Sequence, residues 1–374
     1  MNDSCQLAYR IAFAAIRGMG MELAGKLLDV LPDEAAFFAA DSRELVQLLQ
    51  SHNKITDNSY RHKVLAMAKE EARYVADNGI NVTYFTDPDF PARLTNAPDA
   101  PILLYSRGQC DLNRPKVVSI VGTRNATDYG RRFCETLVAD LATMFKGELL
   151  IVSGLAYGID IAAHRAALHE GVPTAAVLAH GLNTLYPAMH RSTANEMISR
   201  GGALLTDYTS HDYISRANFL ARNRIVAALA DCTIVVESAE KGGAMATASI
   251  ASSYNRDVFA LPGRATDQYS AGCNQLIRRN VASLITSAAD LAQAMQWDMP
   301  PATNAHGTQR ELFPTLSAEE QIVYDFLKSH SDPVHVNVIY ATIKIPMSQL
   351  LGLLIDLEFK GMVTAAAGNK YSAS

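Results

Sequence analysis

The apolar positions of this chain change period along its length, and each change marks a different kind of element. From residue 1 to about residue 85 they recur at helical spacing. Residues 11–31, IAFAAIRGMGMELAGKLLDVL, predict two helices broken at Gly18-Met19-Gly20, in the manner of a helix-hairpin-helix or SAM-like element. Those glycines serve as a tight interhelical turn or as backbone that lets a phosphate come close. A Pro- and Asp-rich connector, residues 87–108, leads into a strand predicted at Ile102–Tyr105. From residue 116 short apolar runs alternate with helix-length segments: KVVSIVG, ELLIVSG, PTAAVL, GALLTDY, CTIVVE, DVFALPG and VASLIT. Continuous apolar strands between helices predict an α/β fold, a Rossmann-like, doubly wound, mostly parallel sheet covered on both faces. Residues 298–315 are Pro-rich and read as a linker. Residues 316–374 hold three helix-like segments and then a possible hairpin from Gly361, which is winged-helix-like. The expected domains are therefore 1–85, helical; 86–297, Rossmann-like; and 316–374, winged-helix-like.

Composition narrows the class. The chain has 374 residues, 49% hydrophobic and 19% charged, enough apolar material for sizeable cores. Neither a signal peptide nor an apolar run long enough to span a bilayer is visible. Five scattered cysteines without a CxxC pair suggest neither disulfides nor a metal site, and fit a cytoplasmic protein. The net charge of −5 argues against nucleic acid as a partner, but its distribution softens that. Residues 114–297 carry 17 Lys and Arg against 15 Asp and Glu, whereas the segments before and after are net negative, 11 against 15 and 5 against 8. What matters for nucleic acid is a local patch, not the total.

The unusual polar residues of the middle region cluster at strand ends, where ligands bind in open α/β sheets. In Ser119–Gly130, Gly122 permits a tight turn, Thr123 offers a hydroxyl and Arg124 a phosphate fork, ahead of a helix N-terminus near Asp128. This is neither GxGxxG nor a Walker loop, so no dinucleotide, ATP or other cofactor is expected. In Ser153–Asp160, Ser153, Gly154 and Tyr157 stand in a second loop; His164, one turn on, is either an acid–base group or a packed structural residue. Phe219, Arg222, Asn223 and Arg224 supply stacking faces and forks, unless the arginines are salt-bridged. Lys241, Gly242, Gly243 and Thr247 line a fourth loop, and Asn274 belongs to a fifth segment after Pro262-Gly263.

These segments, quoted as GTR, SGLAYGID, AVLAHGLNTLYP, FLARNRI, GGAMATA, FALPG and GCNQLI, resemble the DprA/Smf family in order and spacing, densely over residues 85–285. The resemblance implies a Rossmann-like domain that binds single-stranded DNA without catalysis, forms a homodimer and helps load RecA during natural transformation. It also marks departures. Tyr157 stands where the family commonly has Arg, Gly242 and Ala244 where serines are usual, and Ala188 where a lysine is expected, with His190 and Arg191 following. Two other classes compete. A nucleoside-monophosphate hydrolase of the lysine-decarboxylase-like group would need a glutamate after its glycine loop, and EKGGAMATASIA has none. A nucleotide-binding regulatory module would use the same crevice for a small ligand. In the winged-helix-like segment the third helix, PMSQLLGLLIDLEFK, has Lys360 as its sole cation, which suits packing or protein contact better than groove reading.

Overall fold

The structure is a computed structural model, and it describes residues 3–298, 316–330, 332–360, 362–366 and 368–373. The linker expected at 298–315 lies, apart from Asp298, outside the described residues, as does Gly361. Residues 1–300 form one compact unit and residues 301–374 a second.

Five helices open the first unit: α1 (Asp3–Ala15), α2 (Met21–Val30), α3 (Glu34–Ala39), α4 (Ser42–Leu49) and α5 (Asn58–Asp77). Phe13, Phe37 and Phe38 meet edge to face at 5.1 Å beneath α1 and α5. Asp33, Asp41 and Asp57 cap α3, α4 and α5, accepting from their free N-terminal amides. The purely helical reading of residues 1–85 is corrected at its end: β1 (Asn81–Tyr84) pairs antiparallel with β2 (Leu103–Gly108). Alternation over NVTY was too short to outweigh the helix before it. One apolar core runs from Phe13 and Phe37 through Tyr84 and Tyr105 to Leu178 and Leu204. The helices and the sheet therefore share their packing, with no break in it at residue 85.

The remaining strands are β3 (Lys116–Val121), β4 (Leu149–Ser153), β5 (Thr174–Val177), β6 (Ala203–Thr206), β7 (Cys232–Val235), β8 (Asp257–Ala260) and β9 (Ser283–Leu284). Between them lie α6 (Asp128–Met144), α7 (Ile159–His169), α8 (Arg191–Ser199), α9 (Arg216–Ala228), α10 (Gly243–Ser253) and α11 (Ala271–Arg278), and α12 (Ala288–Ala294) follows β9. Among the described residues they form one nine-stranded sheet in the order β1-β2-β6-β5-β4-β3-β7-β8-β9. From β6 to β9 every pairing is parallel, whereas β2 joins β6 antiparallel. The fold is the Rossmann-like, doubly wound α/β sheet that the apolar runs predict. Pleat parity divides its two cores: Val118 and Ile120 pack with Leu137, Leu141 and Ile159, while Val117 and Val121 pack with Ile225, Val226 and Ala248. After β3 the chain winds outward through β4, β5 and β6, then returns to add β7 on the other side of β3. That reversal opens a crevice beyond the carboxyl ends of β3 and β7.

The second unit contains α13 (Ala318–Lys328), β10 (Val334–His335), α14 (Val336–Ile343), α15 (Met347–Phe359), β11 (Val363–Ala366) and β12 (Lys370–Ala373), with sheet order β10-β12-β11. This is a winged helix around Val323, Leu327, Ile339, Leu350, Leu354 and Leu357. The Lys360 ammonium lies 2.6 and 2.7 Å from the two oxygens of Glu320, which also completes a capping box with Ser317. Among the described residues no single helix is long and apolar enough to cross a membrane.

His164 is packed rather than exposed. Thr174 Oγ1 donates to the Ile151 carbonyl at 2.8 Å, so it accepts from His164 Nδ1 at 2.7 Å, and Nε2 is left buried without a partner. Burial, aided by His190 and Arg222, pushes the imidazole down to about 3. The unfolded chain therefore binds a proton here below its usual value, whereas the folded chain does so only near 3. Stability drains as pH falls between those limits, by about 1.4 kcal/mol per unit from this site. His164→Gln should flatten that acid slope. Chemical denaturation of both proteins across pH 4–6.5 checks it, and parallel slopes would show that His164 does not carry the dependence.

Candidate nucleic-acid interface

The crevice at the reversal is a cleft of about 840 Å³ built from the loops that follow β3, β4, β5, β6 and β7. Gly122, Thr123 and Arg124 enter from β3, stitched on both sides: Thr123 N donates to the Glu237 carbonyl at 2.7 Å, and Ile159 N to the Thr123 carbonyl at 3.2 Å. Gly158 permits this approach, because its backbone takes φ +77° and a side chain there would overlap the Thr123 carbonyl oxygen. The α6 N-terminus is not the free anion site that the sequence suggests. The buried Glu237 carboxylate accepts from Thr127 N at 2.9 Å and Thr127 Oγ1 at 2.5 Å, and Thr127 itself caps Gly130 N. A carboxylate from β7 already holds that positive end.

Helix α9 supplies the next wall. Its cap Ser215 accepts from Asn218 N, and Arg216, Phe219, Leu220 and Asn223 recur at i, i+3, i+4 and i+7 along the cleft. The Arg124 guanidinium lies over the Phe219 ring at 5.6 Å, and the Tyr186 ring meets Phe219 edge-on at 5.8 Å. Lys241, Gly242 and Gly243 form the far wall at the start of α10, where no side chain caps Gly242. Asn223 Nδ2 donates to the Gly243 carbonyl at 3.3 Å and holds that turn against α9. Arg124, Arg216 and Lys241 are exposed, with no ion-pair partner among the described residues. The cleft can therefore hold an anionic chain on three cations and stack planar groups on Phe219 and Tyr186.

Several expected contacts are corrected. Arg222 reaches the cleft wall, but it is 5% exposed, and its NH1 donates to the carbonyls of Gly154, at 2.9 Å, and Val177. Its fork is spent on backbone, not free for phosphate. Ser153 is fully buried and donates to the Ile120 carbonyl at 2.6 Å. The helix turns Arg224 away from the cleft, where it pairs with Asp207 and donates to the Asp99 carbonyl at 2.6 Å. Asn274 is a clasp, donating to the Gly263 carbonyl at 2.9 Å and accepting from Gly263 N at 3.2 Å. Thr247 lines the cleft, yet its hydroxyl donates back to the Gly243 carbonyl. Arg191 is exposed at the start of α8 and Tyr157 is exposed against the edge of His190; neither lines the cleft. Sequence reasoning missed Arg216 and Tyr186. Helical spacing from Phe219 could have found Arg216; for Tyr186 no spacing connects it to α9.

Gly154 separates two buried charges. A methyl group there would come within 2.5 Å of an Arg222 nitrogen and 2.6 Å of Asp160 Oδ2. Burial raises the Asp160 carboxyl, with Arg222 opposing, and burial lowers Arg222, with Asp160 opposing. Each charge tempers the burial cost of the other.

A switch-point cleft bearing cations, glycine amides and aromatic faces, in a chain that also carries a winged helix, defines a class of Rossmann-like DNA-processing proteins. Residues 81–296 match the family described as DNA recombination-mediator protein A, and residues 308–369 match the DprA winged helix domain. The chain belongs to the DprA/Smf family of DNA-processing proteins. It is 36% identical over 285 residues to the putative DNA processing protein DprA of Mycobacterium tuberculosis, covering 74% of this chain and 70% of the relative. The X-ray structure of DprA from Streptococcus pneumoniae superposes with a TM-score of 0.59 at 28% identity, covering 78% of this chain and 98% of that one. The structure of DNA processing protein A from Helicobacter pylori, reported for its single-stranded DNA binding mode, superposes at 0.52 with 30% identity, covering 59% and 97%.

The burial of Arg222 and exposure of Arg124 predict opposite variants. Arg222→Ala removes the charge that opposes buried Asp160 and the donor to two carbonyls inside the sheet end, and should cost about 3–5 kcal/mol. Arg124→Ala should change stability by no more than about 0.5 kcal/mol. Urea unfolding of both variants checks this, and a fully stable Arg222→Ala would return that arginine to the list of free phosphate ligands.

Proposed function

We propose that this chain binds single-stranded DNA non-catalytically along the switch-point cleft, as a homodimer in the cytoplasm, and hands the strand to RecA during natural transformation or recombination. The observation that carries the reading is the pairing of unneutralised cations with exposed aromatic faces at one strand-end cleft: Arg124 over Phe219, Tyr186 beside it, Arg216 and Lys241 flanking. Phosphates take the cations and unstacked bases take the rings, which a duplex cannot offer. The single-stranded DNA binding mode reported for the H. pylori relative supports the same substrate. The winged helix supports a secondary role in DNA contact, because the one cation at the end of its third helix is held by Glu320.

Asp160 is the one carboxylate lining the cleft among the described residues, and it is balanced by Arg222. No acid follows Gly242-Gly243 in EKGGAMATASIA, which weighs against the hydrolase reading. A homodimer follows from arithmetic on short sites. A single cleft makes few phosphate contacts, and a second copy on the same strand raises apparent affinity through effective concentration.

Fluorescence anisotropy with labelled oligonucleotides is the primary test. Single strands should bind tighter than duplex, with affinity falling as salt rises. Arg124→Ala should lower the logarithmic salt slope by about one. A variant ending at Pro314 should keep most of the affinity. Equal affinity for duplex, or salt-independent binding, would overturn the reading. Light scattering and RecA nucleation on strands coated by single-strand-binding protein test the assembly; a monomer that leaves nucleation unchanged removes the RecA part alone.

A further inference from the structure

A second cleft, about 880 Å³, lies within the first unit between the N-terminal helices and the β1-β2 edge of the sheet. One whole face of α5 lines it: Tyr60, Lys63, Val64, Met67, Ala68 and Glu71. Lys63 and Glu71 are eight residues apart, about 12 Å along the helix. The cleft is polarised over that span. At one end stand Lys54 and Lys63, both exposed and without an ion-pair partner among the described residues, beside the Gly18-Met19-Gly20 turn. That turn touches the same end, because Tyr60 Oη accepts from Arg17 N at 3.2 Å. At the other end stand Tyr105, Asp207, Asp212 and Glu71.

The acidic end contains polar atoms that the fold does not satisfy. Tyr105 is 4% exposed, and among the described residues its hydroxyl makes no hydrogen bond. Asp207 Oδ1 is buried and unpaired, while its other oxygen is taken by Arg224. Glu71 is occupied by Ser210, and Asp212 uses one oxygen for Thr209. A buried carboxylate oxygen without a partner is costly, and with the Tyr105 hydroxyl also unbonded beside it a ligand can supply what is missing. The missing partner has N–H donors beside an acceptor: the carboxylate oxygens accept, and the Tyr105 hydroxyl donates or accepts. Between the two ends the walls are apolar, from Ile11, Met19, Val64, Met67, Ile102 and Leu103.

We propose that this second cleft binds a mononucleotide unit with an amino-bearing base, its phosphate at Lys54 and Lys63 and its exocyclic amine at the Tyr105–Asp207 end. The volume lies in the usual range for small-ligand sites. Carboxylates accept from the amine of cytosine, and a neighbouring hydroxyl can donate to the ring nitrogen beside it, whereas thymine offers a carbonyl and an N–H in those places. The site is separate from the strand-end cleft and does not rest on the function proposed for it. The same chemistry is offered by a free nucleotide and by the 5′ end of a strand, and the test separates these sources.

The experiment is calorimetric titration of the full chain with dCMP, dTMP and deoxycytidine, repeated on Tyr105→Phe, Lys63→Ala and Arg124→Ala. The expected result is saturable dCMP binding, with dTMP and deoxycytidine each about tenfold weaker or more, one good polar contact apiece. Tyr105→Phe and Lys63→Ala should each weaken dCMP about fivefold or more, with unchanged thermal unfolding, and Arg124→Ala should leave it unaltered. A 5′-phosphorylated cytosine tetranucleotide, titrated into the Arg124→Ala protein, identifies a strand end if its binding depends on Tyr105, and a free nucleotide if it does not; both outcomes uphold the site. Absence of saturable dCMP binding, equal binding of dTMP, or indifference to both Tyr105→Phe and Lys63→Ala would overturn the proposal.

Discussion

The strand-end cleft depends on a guanidinium that never leaves the protein. Arg222 projects from α9 beneath the cleft and ties it to the ends of β4 and β5 through the carbonyls of Gly154 and Val177. Asp160, at the start of α7, sits across the same glycine. A buried arginine is worth its desolvation only when donors and charge are both answered. Here backbone oxygens answer the donors and Asp160 the charge. Two strand ends are thereby fixed to one helix, and that helix carries Arg216, Phe219 and Asn223. The glycine at 154 is a geometric requirement of this arrangement, since any Cβ would enter the space between the two charges. Glu237 does the equivalent work on the other side of the reversal, anchoring α6 through Thr127 and the GTR turn through its own carbonyl.

This explains which parts of the site could be read from sequence. The strand ends were legible because apolar runs stop where the sheet stops, and each of the seven runs from residue 116 became a parallel strand. Glycine turns after those strands were legible for the same reason. The fate of each polar side chain was not, because it is decided by partners far along the chain. Arg222 meets Val177 across 45 residues, Ser153 meets Ile120 across 33, and Thr127 meets Glu237 across 110. Arg124, Arg222 and Arg224 look alike as letters. Only helix phase and the presence of Asp207, Asp99 and Gly154 nearby separate a free cation from two committed ones. β1 was missed for a different reason: four residues of alternation after a twenty-residue helix carry too little periodic signal.

Charge follows the same logic. The chain is net −5, yet the cleft exposes three cations and its single carboxylate is balanced internally. Negative charge is carried mainly by the flanking regions, whose sum is unfavourable to a polyanion at long range. Screening removes most of that penalty beyond about 8–10 Å at cellular ionic strength, while contacts inside the cleft are shorter than this. Local placement therefore outweighs the total. The winged helix follows suit: α15 exposes Leu351 and Ile355, and Lys360 behind it is tied to Glu320. Such a surface has little to offer phosphates.

The departures from the DprA/Smf pattern that the sequence resembles share a direction. Gly242 and Ala244 remove hydroxyls from the fourth loop, and the Thr247 hydroxyl that remains bonds within its own helix. Tyr157 replaces a cation with an aromatic ring whose face is partly exposed beside His190. Tyr186 and Phe219, from the LYP and FLARNRI segments that match the pattern, supply the rings next to Arg124. Oriented hydroxyls and two cations are thus given up at these positions, and the cleft is left with Arg124, Arg216, Lys241 and the Phe219 and Tyr186 rings. Hydroxyls fix a phosphate at one position, whereas cations and rings tolerate sliding by a nucleotide at little cost. A cleft of this kind gains indifference to sequence and register and gives up precise placement of any one phosphate. Such a cleft fits the strand-binding reading proposed above better than a site that must hold one bond in line for attack.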